Sequence, residues 1–215
     1  MSNPFREGEN HAMFQEKLLL RREARALRQR RWVRRHRLPL VSFTLNIPGP
    51  VKQSPLYARV HAEGLGLLLR CLPVAAYRKW DFSTGSEALL AVGMDARDLK
   101  RFAMRVEEGH PLGRLFDLDV LDEAGGKLSR RDLGAAPRRC LVCPRPAAEC
   151  ARSQRHPLPE LLRAVEALAH AFFFSAAALR RCEPPGRNLL AGGVASPSDA
   201  GLPPGVAPTG FQLVE

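Results

Sequence analysis

Two hydrophobic periods alternate along this chain. Residues 14–36 are rich in Leu, Ala, Arg, Gln and Glu and hold no Gly or Pro, and Leu20, Ala24 and Leu27 recur at i, i+4 and i+7. That spacing predicts a helix with one narrow apolar face and arginine on the other faces. Pro39 marks its end. Residues 41–47 switch period: Val41, Phe43, Leu45 and Ile47 alternate with Ser42, Thr44 and Asn46, which predicts a half-buried strand stopped by Pro48, Gly49 and Pro50. Residues 56–72 return to helical spacing, with Leu56, Val60, Leu67 and Cys71 inward, although Gly64 and Gly66 weaken the pattern.

The middle of the chain repeats the switch. Residues 77–82 read as an irregular strand and residues 88–92 as a better one. Asp95 stands at an N-cap position with Asp98 three residues on, and Leu99, Phe102, Ala103 and Val106 continue as a helix that Gly109, His110 and Pro111 end. Residues 115–121 alternate again, with Leu115, Asp117, Asp119 and Leu121 on one side and Phe116, Leu118 and Val120 on the other. Gly125 and Gly126 make a turn, and residues 128–133 are expected to return as the hairpin partner. Residues 138–156 form a cysteine-rich loop, and residues 158–179 give the strongest helical pattern in the chain.

Strands and helices mix without a regular βαβ rhythm. The expected fold is therefore α+β, with a mainly antiparallel mixed sheet flanked by helices and a small Cys/His-rich loop. Residues 1–182 are expected to form one catalytic domain that includes the basic helix at 14–36 and the loop at 138–156. Residues 183–215 hold six Pro and six Gly and lack periodicity, so they read as a disordered tail.

Charge changes this picture most. The 215 residues carry a formal net charge of +11, and residues 1–39 alone hold 11 basic against 4 acidic side chains. Such a field attracts polyanions, whether nucleic acid, phosphorylated cofactors, anionic lipid or an acidic protein, and charge alone does not choose among them. No apolar run is long enough to span a bilayer, and the N-terminus lacks the order of a secretory signal. Five cysteines, three of them within eleven residues, suit a reducing cytoplasm with metal-bound or free thiols.

Two groups of residues carry candidate chemistry. On a strand Asp117 and Asp119 project the same way, and their mutual repulsion is relieved by a divalent cation such as Mg²⁺, which takes one or two carboxylates and completes its shell with substrate phosphates. Arg97, Lys100, Arg114, Arg130 and Arg131 surround that strand in the sequence, alongside His110, Arg138 and Arg139. Arginine suits a phosphate site through its bidentate fork; the alternative is surface pairing with nearby aspartates. The second group is Cys140, Cys143, Cys150 and His156. Three thiolates and an imidazole complete a tetrahedral, structural Zn²⁺ shell; the alternative is free thiols beside a surface histidine. No nucleophile-elbow serine, P-loop or glycine-rich dinucleotide motif is present.

Four segments in order resemble the apo-citrate lyase phosphoribosyl-dephospho-CoA transferases, the holo-citrate lyase synthases. They are residues 39–52 (PLVSFTLNIPGPVK), 96–100 (ARDLK), 110–120 (HPLGRLFDLDV), and 128–132 (LSRRD), the last continuing through the cysteines to His156. The resemblance implies a Mg²⁺-dependent reaction of nucleotidyltransferase type. Triphosphoribosyl-dephospho-CoA and a serine of the acidic citrate lyase acyl carrier subunit would be its substrates, and pyrophosphate its by-product. It implies that Asp117 and Asp119 hold Mg²⁺, that Arg114, Arg130, Arg131 and Lys52 bind the phosphates, and that His110 or Glu108 accepts the hydroxyl proton. The Asp-x-Asp also resembles that of polymerase-β-like nucleotidyltransferases, whose glycine-serine turn is represented here only by Leu112, Gly113 and Arg114. The arginine-rich helix would then dock the carrier. Two competing readings are a zinc-stabilised nucleic-acid-binding protein with an arginine-rich arm and a non-catalytic adaptor of the lyase.

Overall fold

In this computed structural model the backbone is described for residues 4–174, and the side chains for residue 16 and residues 19–174. Cys182, residues 175–179 of the last expected helix and the expected tail at 183–215 lie outside the described residues. The elements run in the order α1 (Pro4–His36), β1 (Leu40–Leu45), α2 (Pro55–Cys71), β2 (Val74–Phe82), β3 (Gly85–Val92), α3 (Ala96–Gly109), β4 (Phe116–Leu121), β5 (Lys127–Leu128), α4 (Ala147–Arg152) and α5 (Leu158–Phe174). Among the described residues five strands form one sheet in the order β2-β3-β1-β4-β5. Every pairing is antiparallel, in keeping with the mainly antiparallel sheet expected from the sequence.

Alternation along β1 assigns the two faces. Val41 and Phe43 pair with Leu90 and Ala88 on one side and with Val120 and Leu118 on the other. These residues face α2, α3 and α5, whose Val60, Leu68, Leu99, Phe102, Val165 and Ala169 are buried in the same core. Burying a large side chain there stabilises the fold by roughly 1.5–3 kcal/mol. Gly64, which weakened the helical pattern in the sequence, is where α2 meets the sheet: a Cβ would lie 2.5 Å from Phe43 Cζ. Asp95 caps α3 as expected, its carboxylate accepting from the backbone N–H of Arg97 and Asp98.

The opposite face is covered by α1. Leu20 and Leu27, two of the side chains that make up its narrow apolar face, are 58% and 52% exposed. The helix instead turns arginine toward the sheet. Arg25 and Arg28 lie 2.8 and 2.5 Å from the two carboxylate oxygens of Glu87 on β3, which is buried. The guanidinium of Arg28 also stacks over Trp80, and that of Arg21 over Phe82. A buried carboxylate without a counter-ion is more costly than two exposed leucines, and aromatic faces accept arginine stems, so the charge pairing decides the rotation. A small apolar patch of Val33, Leu40, Leu89 and Leu121 anchors the end of α1.

Two further expectations change. The hairpin partner expected at 128–133 is only Lys127–Leu128; Arg131–Leu133 is a 3₁₀ turn. Two side chains of α3 occupy the edge of β4 beyond that pairing. Glu107 Oε1 accepts from Leu118 N at 3.0 Å, and Lys100 Nζ donates to Leu118 O at 3.3 Å. The cysteine-rich loop contains the short helix α4, which carries Cys150.

Candidate active site

The Asp-x-Asp strand is β4. Asp117 and Asp119 lie opposite Thr44 and Ser42 of β1, on the face that α1 covers. Thr44 Oγ1 donates to Asp117 Oδ2 at 3.2 Å, and Arg138 Nη1 stands 4.0 Å from Asp117 Oδ1. Asp119 Oδ2 is 2.8 Å from Lys127 Nζ on β5. Burial, followed by the charges of Asp119 and Glu107, raises the Asp117 carboxyl above its ordinary pKa, while Arg138 and the Thr44 hydrogen bond oppose the rise. A cleft of about 210 Å³ opens over Asp117, walled by Arg21, Arg22 and Arg25 of α1 together with Lys52 and Thr84. The cleft therefore has one acidic residue in its lining and four cationic ones.

A second layer of charge supports β4 from behind. Glu107, buried on α3, accepts from Arg130 Nη2 at 2.5 Å and lies 3.9 Å from Arg138 Nη1. Arg130 also pairs with Glu108, and Arg138 donates to the carbonyl of Arg114 at 2.6 Å. Arg114 turns away from the cleft and donates to the carbonyls of Arg139 and Cys140. Gly113 permits this turn, because a Cβ there would lie 2.2 Å from the carbonyl oxygen of Val106.

The cations expected around the phosphates are thus distributed. Lys52 lines the cleft. Arg114 and Arg130 are engaged in the scaffold. Arg97 donates to Asp132 O, and Lys100 is buried against β4, where desolvation lowers its pKa while Glu107 and Asp119 oppose the fall. Arg131 is exposed on its 3₁₀ turn. Neither expected base joins the aspartates: the His110 ring stacks on Phe116, which points to the apolar face, and Glu108 is 61% exposed beside Arg130.

Cys140, Cys143, Cys150 and His156 come together, with their four ligand atoms within 4.8 Å of one another. Sulfurs around a tetrahedral Zn²⁺ at 2.3 Å lie about 3.8 Å apart; here Cys143 and Cys150 Sγ are separated by 3.5 Å and His156 Nε2 is 3.3 Å from Cys143 Sγ. The other ring nitrogen of His156 lies 3.3 Å from Glu160 Oε2, the carboxylate contact that orients a metal-bound imidazole. Hydrogen bonds from the Arg145 N–H and from His156 draw the Cys143 thiol down to about 7, and burial pushes Cys150 up to about 11. The donor set fits a thiophilic structural metal and has no protein position left open.

Sequence reasoning placed Arg138 only among the cations near the strand, and it missed Glu107, Thr44, Glu87 and the inward arginines of α1. Thr44 was legible as the cross-strand neighbour once the β1–β4 register was known. The others depend on contacts between residues far apart in the chain.

Together the sheet, the cleft lined by four cations and Asp117, and the separate thiol–imidazole cluster define an α+β protein with a candidate anion-binding cleft and a candidate metal site. Residues 14–172 match the apo-citrate lyase phosphoribosyl-dephospho-CoA transferase family. Proteins of that name from Escherichia coli O7:K1 and Shigella boydii serotype 18 are each 44% identical over 167 residues, covering 74% of this chain and 90% of theirs. The chain belongs to this family of transferases. No described helix is long and apolar enough to cross a membrane.

Proposed function

We propose that this protein attaches the phosphoribosyl-dephospho-CoA group to a serine of the citrate lyase acyl carrier subunit. Its donor would be 2′-(5″-triphosphoribosyl)-3′-dephospho-CoA. The serine oxygen attacks the phosphorus next to the ribose and forms the phosphodiester. The bond to the next phosphate breaks, pyrophosphate leaves, and the hydroxyl proton passes to solvent at the cleft mouth. Family membership supports the overall reaction. The observation that carries the local reading is Asp117 as the one carboxylate in a cleft whose lining also holds four cations.

Asp117 and Asp119 are the residues that would hold Mg²⁺, which when bound neutralises the phosphates and lowers the pKa of the attacking hydroxyl. Thr44 orients Asp117 and leaves one oxygen of its carboxylate to other partners. Lys127 balances Asp119 before substrate arrives. Glu107, Arg130 and Arg138 hold the strand that carries both aspartates. The Cys/His cluster would hold structural Zn²⁺ and so fix the loop whose carbonyls bind Arg114. The outward face of α1, with Leu20 and Leu27 among arginines, suits docking of an acidic carrier and would act mainly on encounter rate. Residues 1–182 form the catalytic domain on this reading, and the reducing cytoplasm suits its unpaired cysteines.

The direct test is mass spectrometry of the apo carrier after incubation with the protein, Mg²⁺ and the triphosphoribosyl donor. One added prosthetic group on a single serine is expected, and an unchanged carrier mass rejects the reading. Metal analysis of the purified chain is expected to give about one Zn²⁺, lost in Cys143→Ser.

A further inference from the structure

The cationic wall of the cleft poses a problem that the scaffold does not solve. Two of its four cations are already engaged within the protein. Arg25 is paired with Glu87 at 2.8 Å, and the Arg21 guanidinium lies 3.8 Å from the centroid of the Phe82 ring. Arg22 and Lys52 are different. Among the described residues neither is in an ion pair with a carboxylate, and Lys52 Nζ has only the carbonyl of Ile47 as a hydrogen-bond partner. Burial lowers the Lys52 pKa and the charge of Arg22 lowers it further, so the two cations are close enough to repel each other. Arg22 is exposed and Lys52 half-buried at the cleft, and like charges held near each other cost free energy that a shared anion would recover.

We propose that Arg22 of α1 and Lys52 form a polyphosphate subsite, and that they hold the triphosphate tail of the substrate over Asp117. This rests on the transferase reading and deepens it. The pyrophosphate contacts move from Arg114, Arg130 and Arg131 to the basic helix, which becomes part of the active site as well as a docking surface. Size supports the assignment. At about 210 Å³ the cleft is smaller than the roughly 300–1,000 Å³ of a site for a whole drug-sized ligand. It therefore takes the phosphate chain, not the entire nucleotide. Position supports it as well: the cations and Asp117 line the same cleft, so phosphates held by the cations would lie near the carboxylate. Thr84, whose hydroxyl has no hydrogen-bond partner among the described residues, belongs to the same wall.

Calorimetric titration of inorganic tripolyphosphate with Mg²⁺ into the full chain tests the subsite without the transfer reaction. Arg22→Ala and Lys52→Ala are each expected to weaken binding about tenfold or more, with Arg22→Lys retaining part of it. Arg105→Ala, which removes an exposed charge from α3, is expected to bind as the parent chain does. Equal binding by the parent, Arg22→Ala and Lys52→Ala overturns the subsite, as does a parent that binds no tripolyphosphate. The two proposals fail separately. Tripolyphosphate binding that depends on Arg22, with no mass added to the carrier, keeps the subsite and rejects the transfer. Carrier modification with an unchanged KM for the donor in Arg22→Ala keeps the transfer and rejects the subsite.

Discussion

On one face of the sheet, Val41, Phe43, Leu90, Leu118 and Val120 meet α2, α3 and α5 in an apolar core. On the other, Ser42, Thr44, Glu87, Asp117 and Asp119 lie under the arginines of α1. The same strands build both, because successive side chains point to opposite sides. The apolar face gains stability in proportion to the area it removes from water. The charged face gains little from that source. Its close like charges, Asp117 beside Asp119 and Arg22 near Lys52, disfavour their own charged forms, and under the proposed function a ligand carrying both metal and phosphate would relieve them.

The sharpest way to separate the faces is to damage each in turn. Asp117→Asn and Asp119→Asn are expected to lower carrier modification by roughly 10²–10³-fold or more while thermal unfolding stays cooperative; near-normal turnover in both would sink the proposed metal site. Phe43→Ala, on the other side of the same sheet, is expected to lose about 3–5 kcal/mol of stability in denaturant titration. If that variant lost activity with no loss of stability, the division of labour between faces would be wrong.

Acid separates them with opposite signs. His61 on α2 is fully buried against Phe43, its ring nitrogens lack a hydrogen-bond partner among the described residues, and burial lowers its pKa from 6.5 to about 4. The folded chain then binds this proton less readily than the unfolded chain. The stability that depends on neutral His61 is full above about pH 6.5 and declines as pH falls toward 4, by about 3 kcal/mol in all. His61→Phe is expected to flatten that part of the stability profile. Asp117 works in reverse: its raised pKa makes the ionised form a burden that grows as pH rises through the folded value.

Two smaller effects refine the comparison. Glu87→Gln leaves Arg25 and Arg28 facing a neutral partner and is expected to cost about 1–3 kcal/mol, less than a deeply buried pair because both arginines keep some contact with water. Asp117→Asn is expected to raise Tm slightly at pH 7, with the gain absent near pH 3, where the parent carboxyl is protonated as well. A fall in Tm at pH 7 would mean that Asp117 is a structural support and not a group held under electrostatic load.

What local pattern determines, the sequence made legible. Strand and helix periods placed β1, α2, β3, α3 and β4 to within a few residues, Asp95 was readable as a cap, and the aspartates were readable as sharing a face. The spacing of three cysteines and a histidine suggested a cluster that the structure brings together. The family, too, was visible in its motifs. The tertiary structure alone decided which side of α1 faces inward, which arginines support β4 and which ones line the cleft. The rotation of α1 is set by Glu87, 62 residues from Arg25 and 59 from Arg28. Arg130 is claimed by Glu107, 23 residues away. The i, i+4 rhythm of a helix ranks its faces only by their own hydrophobicity. When the opposing surface holds a buried charge, the electrostatic cost of leaving that charge unpaired outweighs the ranking, and only the folded chain shows where the charge lies.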